Sequence, residues 1–186
     1  MDPSSVSQLI ILVILLFLSG FFSSSETALT TVNKIRLRSL ADEGSKRARL
    51  ALQVTENSGK MLSAILIGNN IVNLSAASLT TTLAYSLGGS AVAFASGLLT
   101  VLILLFGEIT PKTMATIHAE KMALLYAPVI NIFMKLMTPF IFIINGLSMA
   151  VLFVLRIDPN AKNDTMTETE LRTIVDVSHE DGVIES

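Results

Sequence analysis

Uncharged, mostly apolar runs cover residues 6–22, 61–87 and 91–106 of this 186-residue chain, and a fourth apolar run, with Lys135 inside it, covers 122–155. Each of the first three approaches the roughly 20 apolar residues that a membrane-spanning helix needs. Between the first two lies a polar, basic stretch, 34–60, and after 157 the chain turns acidic. The pattern predicts helices over about 5–33, 60–87 and 90–118. The fourth run holds Pro128, Pro139 and Gly146, which divide it into pieces of about 16 residues or fewer, short for a crossing. It is therefore read as a juxtamembrane helical hairpin over about 121–156, in or dipping into the inner leaflet. The expected fold class is an all-α membrane protein with three transmembrane helices, that hairpin, and a short acidic cytoplasmic helical segment.

Charge sets the orientation. The stretch 34–60 carries seven basic residues (Lys34, Arg36, Arg38, Lys46, Arg47, Arg49, Lys60) against Asp42, Glu43 and Glu56. Basic loops stay on the cytoplasmic side, so this stretch is expected inside and the uncharged turn "LGGS" at 87–90 outside. Lys112 and Lys121 then fall inside again, and the C-terminus is cytoplasmic. Asp2 stands where a secretory signal would have a basic residue, so 6–22 reads as a retained helix of a multi-pass cell-membrane protein (inner or plasma membrane). Lys34, Arg36 and Arg38 are expected to meet lipid headgroups.

Composition narrows the chemistry. Hydrophobic residues make up 51% of the chain and charged ones 15%, unlike a soluble domain of this size. With no cysteine, disulfides, thiolate metal sites and cysteine nucleophiles are excluded. The two histidines, His118 and His179, are far apart, which argues against zinc. No nucleophile elbow accompanies the serines, so no enzyme is expected. Nothing points to nucleic acid.

Polar groups inside hydrocarbon are costly and either pair or do something. Three clusters qualify. In "LSGFFSSSETAL" (18–29), Ser19 and Ser23 are four apart and share a helix face. In "LIGNNIVN" (66–73), Asn69 and Asn73 do the same, while Asn70 points elsewhere. In "LLFGEITPKT" (104–113), Pro111 has no N–H for the Gly107 carbonyl an α-helix would place four residues back, beside Glu108. The pooled groups are hydroxyl, amide, carbonyl and carboxylate oxygens. They suit a hard cation, Mg²⁺ or Na⁺, and a single carboxylate leaves a divalent ion free to depart. Blander readings stand beside this one. Glu108 and Lys112 can be an i,i+4 ion pair. Ser23 and Glu26 can form a capping box at a helix break after Gly20. Membrane serines and asparagines can be interhelical glue.

The remaining features concern assembly. Gly89, Ala93 and Gly97, with Ser75–Ser78, supply small residues for close helix packing, within a protomer or at a dimer seam. After 157, eight acidic residues face only Lys162 and Arg172. Thr165 to Glu168, or Thr167 to Glu170, fits a helix start, Leu171, Ile174 and Val175 form an apolar stripe, and Gly182 is a stop. The segment breaks off at "VIES", which reads as a piece cut short ahead of a soluble domain.

The ordered trio "SGFFSSSETAL", "IGNNIVN" and "GEITPKT" resembles the membrane domain of the CorC/cyclin-M (CNNM) Mg²⁺ transporters. That resemblance implies a transmembrane domain over 1–156 and an acidic helical segment over 157–186. It also implies, further on, a pair of cystathionine-β-synthase-type (CBS) modules through which ATP would act. It implies a homodimer exporting Mg²⁺ by alternating access, driven by inward Na⁺. Carried over by motif, the cation ligands are Ser19 and Ser23, Asn69 and Asn73, the Gly107 carbonyl and Glu108, with Gly20, Pro111 and Lys112 in structural or hinge roles. The competing expectation is a membrane anchor for a soluble nucleotide-sensing regulator with no transport of its own.

Overall fold

The computed structural model describes residues 3–86 and 91–155. The chain is all-α: α1 (Pro3–Thr31), α2 (Lys34–Asp42), α3 (Lys46–Glu56), α4 (Ser58–Ser86), α5 (Ala91–Leu102), a π-helical segment (Ile103–Ile109), α6 (Thr110–Ile117) and α7 (Ala119–Val154). The turn 87–90, Gly89 of the small-residue ladder and the acidic segment 157–186 lie outside the described residues. Two units are distinguished, Met1–Phe142 and Ile143–Ser186. The described part of the second is the end of α7, where Ile143, Leu147, Phe153 and Val154 are exposed.

Among the described residues, four stretches are long and apolar enough to cross a membrane: Val6–Thr31, Ser58–Tyr85, Val92–Ile117 and Ala119–Val154. Their outward surface is apolar too, with Phe17, Leu66, Phe94 and Phe142 largely exposed. Water would not tolerate that much contiguous apolar surface, and helices satisfy their backbone groups internally, as lipid requires.

The segment expected as a hairpin is helical throughout Ala119–Val154, with Pro128 and Pro139 inside the helix. A proline removes one donor per helix but does not oblige a break where packing holds the chain on course. Ala123, Ala127, Ile130 and Met134 are buried on one stripe of α7. Beside that stripe, Tyr126 sets its ring edge-on to Phe21, centroids 5.0 Å apart, and Phe133 tilts against Phe22 at 5.1 Å. Gly68 of α4 makes this meeting possible, since a Cβ there would lie 2.6 Å from the Phe22 ring and 2.9 Å from that of Phe133.

The basic stretch folds as two short helices, not foreseen from the pattern. Asn33 caps α2 by accepting from the N–H groups of Ile35 and Arg36. Gly44, at φ 97°, turns the chain, and Ser45 caps α3 by accepting from the Ala48 N–H. Leu37, Ala51 and Val54 then join Leu29, Met61 and Ile65 in the buried core. Isolated helices of this length are marginal, so packing holds them. Arg36 pairs with Glu120 at 3.5 Å and Arg38 with Glu56 at 3.8 Å. Both pairs are exposed and contribute little.

α1 packs antiparallel to α4, with Ile11 and Leu15 beside Leu74–Thr82 and Ser19 beside Asn69. It runs parallel to the π segment and α6, with Ser19 against Gly107 and Glu26 near Lys112. α1 is continuous through Gly20, so the expected break there, and the capping box at Ser23, do not form. What Gly20 provides is close approach: a Cβ on it would sit 3.1 Å from the Phe106 carbonyl oxygen and 3.2 Å from Pro111 Cγ.

Candidate oxygen nest between α1, α4 and the π segment

Ser19 is buried on α1, and so are Ser23, Ser24 and Ser25, which follow one another in sequence. A helix spreads successive residues over its circumference, so burial of those three means that α1 is surrounded on several sides at this level. Ser19 Oγ donates to Asn69 Oδ1 at 3.5 Å, and Asn73 Nδ2 donates to the same oxygen at 3.5 Å. Both bonds are at the long end of the useful range. Asn73 Oδ1 is buried and has no partner. Gly107 is buried against Ser19, so closely that a Cβ at 107 would lie 2.8 Å from Ser19 Oγ. Ser23 Oγ donates to the backbone carbonyl of Glu108 at 3.5 Å. Ser19, Ser23, Asn69, Asn73, Gly107 and the Glu108 backbone therefore converge where three elements meet. Asn70 is exposed and takes no part.

The π segment changes the backbone argument by one residue. The N–H of Thr110 bonds the carbonyl of Leu105, five residues back. Continued in that register, the N–H that Pro111 lacks would have served Phe106, not Gly107. The Phe106 carbonyl is the one that lies against Gly20. Proline identifies a missing donor from sequence, but the acceptor it deprives depends on the local register.

The Glu108 side chain also differs from expectation. Its carboxylate is engaged by a lysine, accepting from Lys112 Nζ at 3.3 Å. Lys112 Nζ lies 3.9 Å from Glu26 Oε2 as well, so one ammonium stands between two carboxylates. All three side chains are roughly half-exposed. Glu26 was not in the expected ligand set; it lies three residues after Ser23, on the same side of α1. Thr80 is a further polar group not foreseen: its hydroxyl is buried without a partner. Asn69, Asn73 and Thr80 at i, i+4 and i+11 form one stripe of α4, a spacing legible in the sequence.

Among the described residues no group of three or more His, Cys, Asp or Glu side chains is placed to hold a metal. The nest is one of hydroxyl, amide and backbone oxygens, with a carboxylate at its edge. Ser24 is occupied elsewhere, donating to the Gly20 carbonyl at 2.7 Å and lying 3.3 Å from the Tyr126 hydroxyl.

A multi-pass helical membrane protein with a buried cluster of polar oxygens between its helices is the class these features define. The chain belongs to the Cyclin M transmembrane N-terminal domain family, whose profile matches residues 10–186. A UPF0053 protein of Haemophilus influenzae is 40% identical over 177 residues, which cover 94% of this chain and 42% of that protein. The UPF0053 inner membrane protein YfjD of Escherichia coli is 34% identical over 160 residues, 85% of this chain and 37% of that one. A protein named polyamine export protein, also of Escherichia coli, is 26% identical over 205 residues, 96% of this chain and 43% of that one. The chain thus spans less than half the length of these relatives.

Proposed function

We propose that this chain is the membrane part of a cation exporter and that its cargo is Mg²⁺, held largely dehydrated in the nest of Ser19, Ser23, Asn69, Asn73, Gly107 and Glu108. The observation that carries the reading is the buried, unpartnered Asn73 Oδ1, beside loosely tied Ser19 and Asn69 oxygens. A buried acceptor without a donor is costly, and a cation supplies what it lacks. The oxygens suit a hard ion.

The spacing adds a condition. Six oxygens at roughly 2.0–2.1 Å from Mg²⁺ set neighbouring oxygens about 2.9 Å apart. Ser19 Oγ and Asn69 Oδ1 are 3.5 Å apart, so loading draws α1 and α4 together by about half an ångström. That contraction couples occupancy to helix movement, which alternating access requires. Export coupled to inward Na⁺, a homodimeric assembly, an inner or plasma membrane location and a cytoplasmic C-terminus belong to the same proposal. So do a regulatory acidic segment and CBS modules sensing ATP.

The test is Mg²⁺-dependent melting of the purified chain together with Mg²⁺ flux in liposomes. Mg²⁺ is expected to raise the melting temperature, and Asn73→Ala to remove that rise and the flux. Flux and protection unchanged in Asn73→Ala would refute the site. No effect of Mg²⁺ on the melting of the wild-type chain would favour a membrane anchor for a soluble regulator.

A second reading is favoured by Lys112. Its ammonium sits between Glu26 and Glu108, the arrangement that one end of an alkyl polyamine would adopt, and one relative bears the name of a polyamine exporter. Protection by spermidine or putrescine, with none by Mg²⁺, would select it.

A further inference from the structure

We infer that Lys112 is a tethered counter-cation: it holds the Glu108 carboxylate out of the oxygen nest until a divalent cargo takes it over, with Glu26 keeping the displaced ammonium. The inference rests on the cation-site reading above and adds a positioning residue to it.

The nest and the ion triad are contiguous. The Glu108 backbone oxygen accepts from Ser23, at the edge of the nest, while its carboxylate is on Lys112 at 3.3 Å. The same residue therefore serves both, and a change of side-chain direction moves its charge from one to the other. Lys112 has a second acceptor already in place, Glu26 at 3.9 Å, so surrendering Glu108 does not leave its ammonium alone. Ser23 and Glu26 lie on one side of α1, facing the two roles of Glu108.

Charge decides which cation wins. A divalent ion carries twice the charge of the ammonium and approaches a carboxylate oxygen to roughly 2.1 Å. Lys112 Nζ stands 3.3 Å from Glu108 Oε1, so a divalent ion can displace it. The triad is half-exposed, which keeps its own pairing weak enough to exchange. A hydrated monovalent ion has neither advantage, so the lysine also discriminates against it. When cargo departs, the ammonium is one helical turn away and reclaims the carboxylate, which prevents the nest from retaining a divalent ion.

The π segment gives the exchange a mechanical link. It ends at Ile109, between Glu108 and Lys112. Tightening that turn to α register would rotate Glu108 relative to Lys112, which parts the pair in one register and joins it in the other.

The experiment compares the wild-type chain with Lys112→Gln, Lys112→Arg and Glu26→Gln, reading the Mg²⁺ concentration that half-saturates the melting shift, and flux in liposomes. Lys112→Gln is expected to bind Mg²⁺ about tenfold more tightly, because a competing charge is gone, and to turn over more slowly. Lys112→Arg keeps the charge and should stay near wild type. Glu26→Gln should shift affinity the other way, weakening it severalfold, because the ammonium loses its second acceptor. A merely structural triad would lower stability and affinity alike in Lys112→Gln and Glu26→Gln. Shifts of the same sign in those two variants, or Lys112→Arg behaving as Lys112→Gln, would overturn the inference while a protected wild type leaves the cation site standing. No effect of Mg²⁺ on the wild-type chain would remove both.

Discussion

Gly107→Ala tests the nest most directly, because it adds one carbon at a known place. The new Cβ would lie 2.8 Å from Ser19 Oγ and 3.2 Å from Ser19 Cβ, where 3.4–4 Å is ordinary contact. The hydroxyl can rotate away, but the Ser19 Cβ is fixed to α1, so α1 and the π segment must part by several tenths of an ångström. Overpacking of this kind costs about 1–3 kcal/mol. The effect on cargo should be larger than the effect on folding. Metal sites tolerate departures of about 0.2 Å in ligand distance, and here Ser19 Oγ would be turned or pushed off the Asn69 side. Mg²⁺ affinity is expected to fall by at least about tenfold, read as the concentration that half-saturates the melting shift. Gly59→Ala is the control: a Cβ there meets nothing within 4 Å, so that variant should stay within about 1 kcal/mol of wild-type stability and keep wild-type affinity. If Gly107→Ala matched Gly59→Ala in both readings, Ser19 and Gly107 would not be in contact, and the nest would have to be redrawn.

Gly68→Ala should lower stability by about 1–3 kcal/mol, because its Cβ would strike the rings of Phe22 and Phe133. A melting temperature equal to wild type would contradict the packing of α7 on α1 and α4. Pro111→Ala restores the missing N–H and permits the π turn to rewind. It should melt no lower than wild type yet lose most of its Mg²⁺ flux, and unchanged flux would show that the π turn plays no part in transport.

The apolar runs were enough to place the long helices, because a run of about 20 such residues has few alternatives. The i,i+4 spacing of Ser19 with Ser23, and of Asn69 with Asn73, was enough to pair their faces. Three features were not legible, each for a physical reason. α2 and α3 have weak local signals and owe their stability to Leu37, Ala51 and Val54 reaching the core, which is a tertiary effect. Pro128 and Pro139 look like breaks in one dimension but lie inside α7, whose buried stripe continues past Pro128. Pro111 announces a missing donor, but only the Thr110 to Leu105 bond reveals that Phe106 rather than Gly107 would be its acceptor. The direction of the Glu108 carboxylate was open in the sequence between nest and ion pair, and the pair with Lys112 is the one formed.

Within about one and a half turns of α1, three serines meet three different neighbours: Ser19 meets Asn69 of α4, Ser23 the Glu108 backbone, and Ser24 Tyr126 of α7. α1 is thus a spindle gripped from three sides at one height. Twisting it would break every grip together, whereas tilting a single neighbour breaks only one. Conformational change in this protein should therefore proceed by its partners swinging about a stationary first helix, and probes fixed on α1 should report the least motion of any in the membrane.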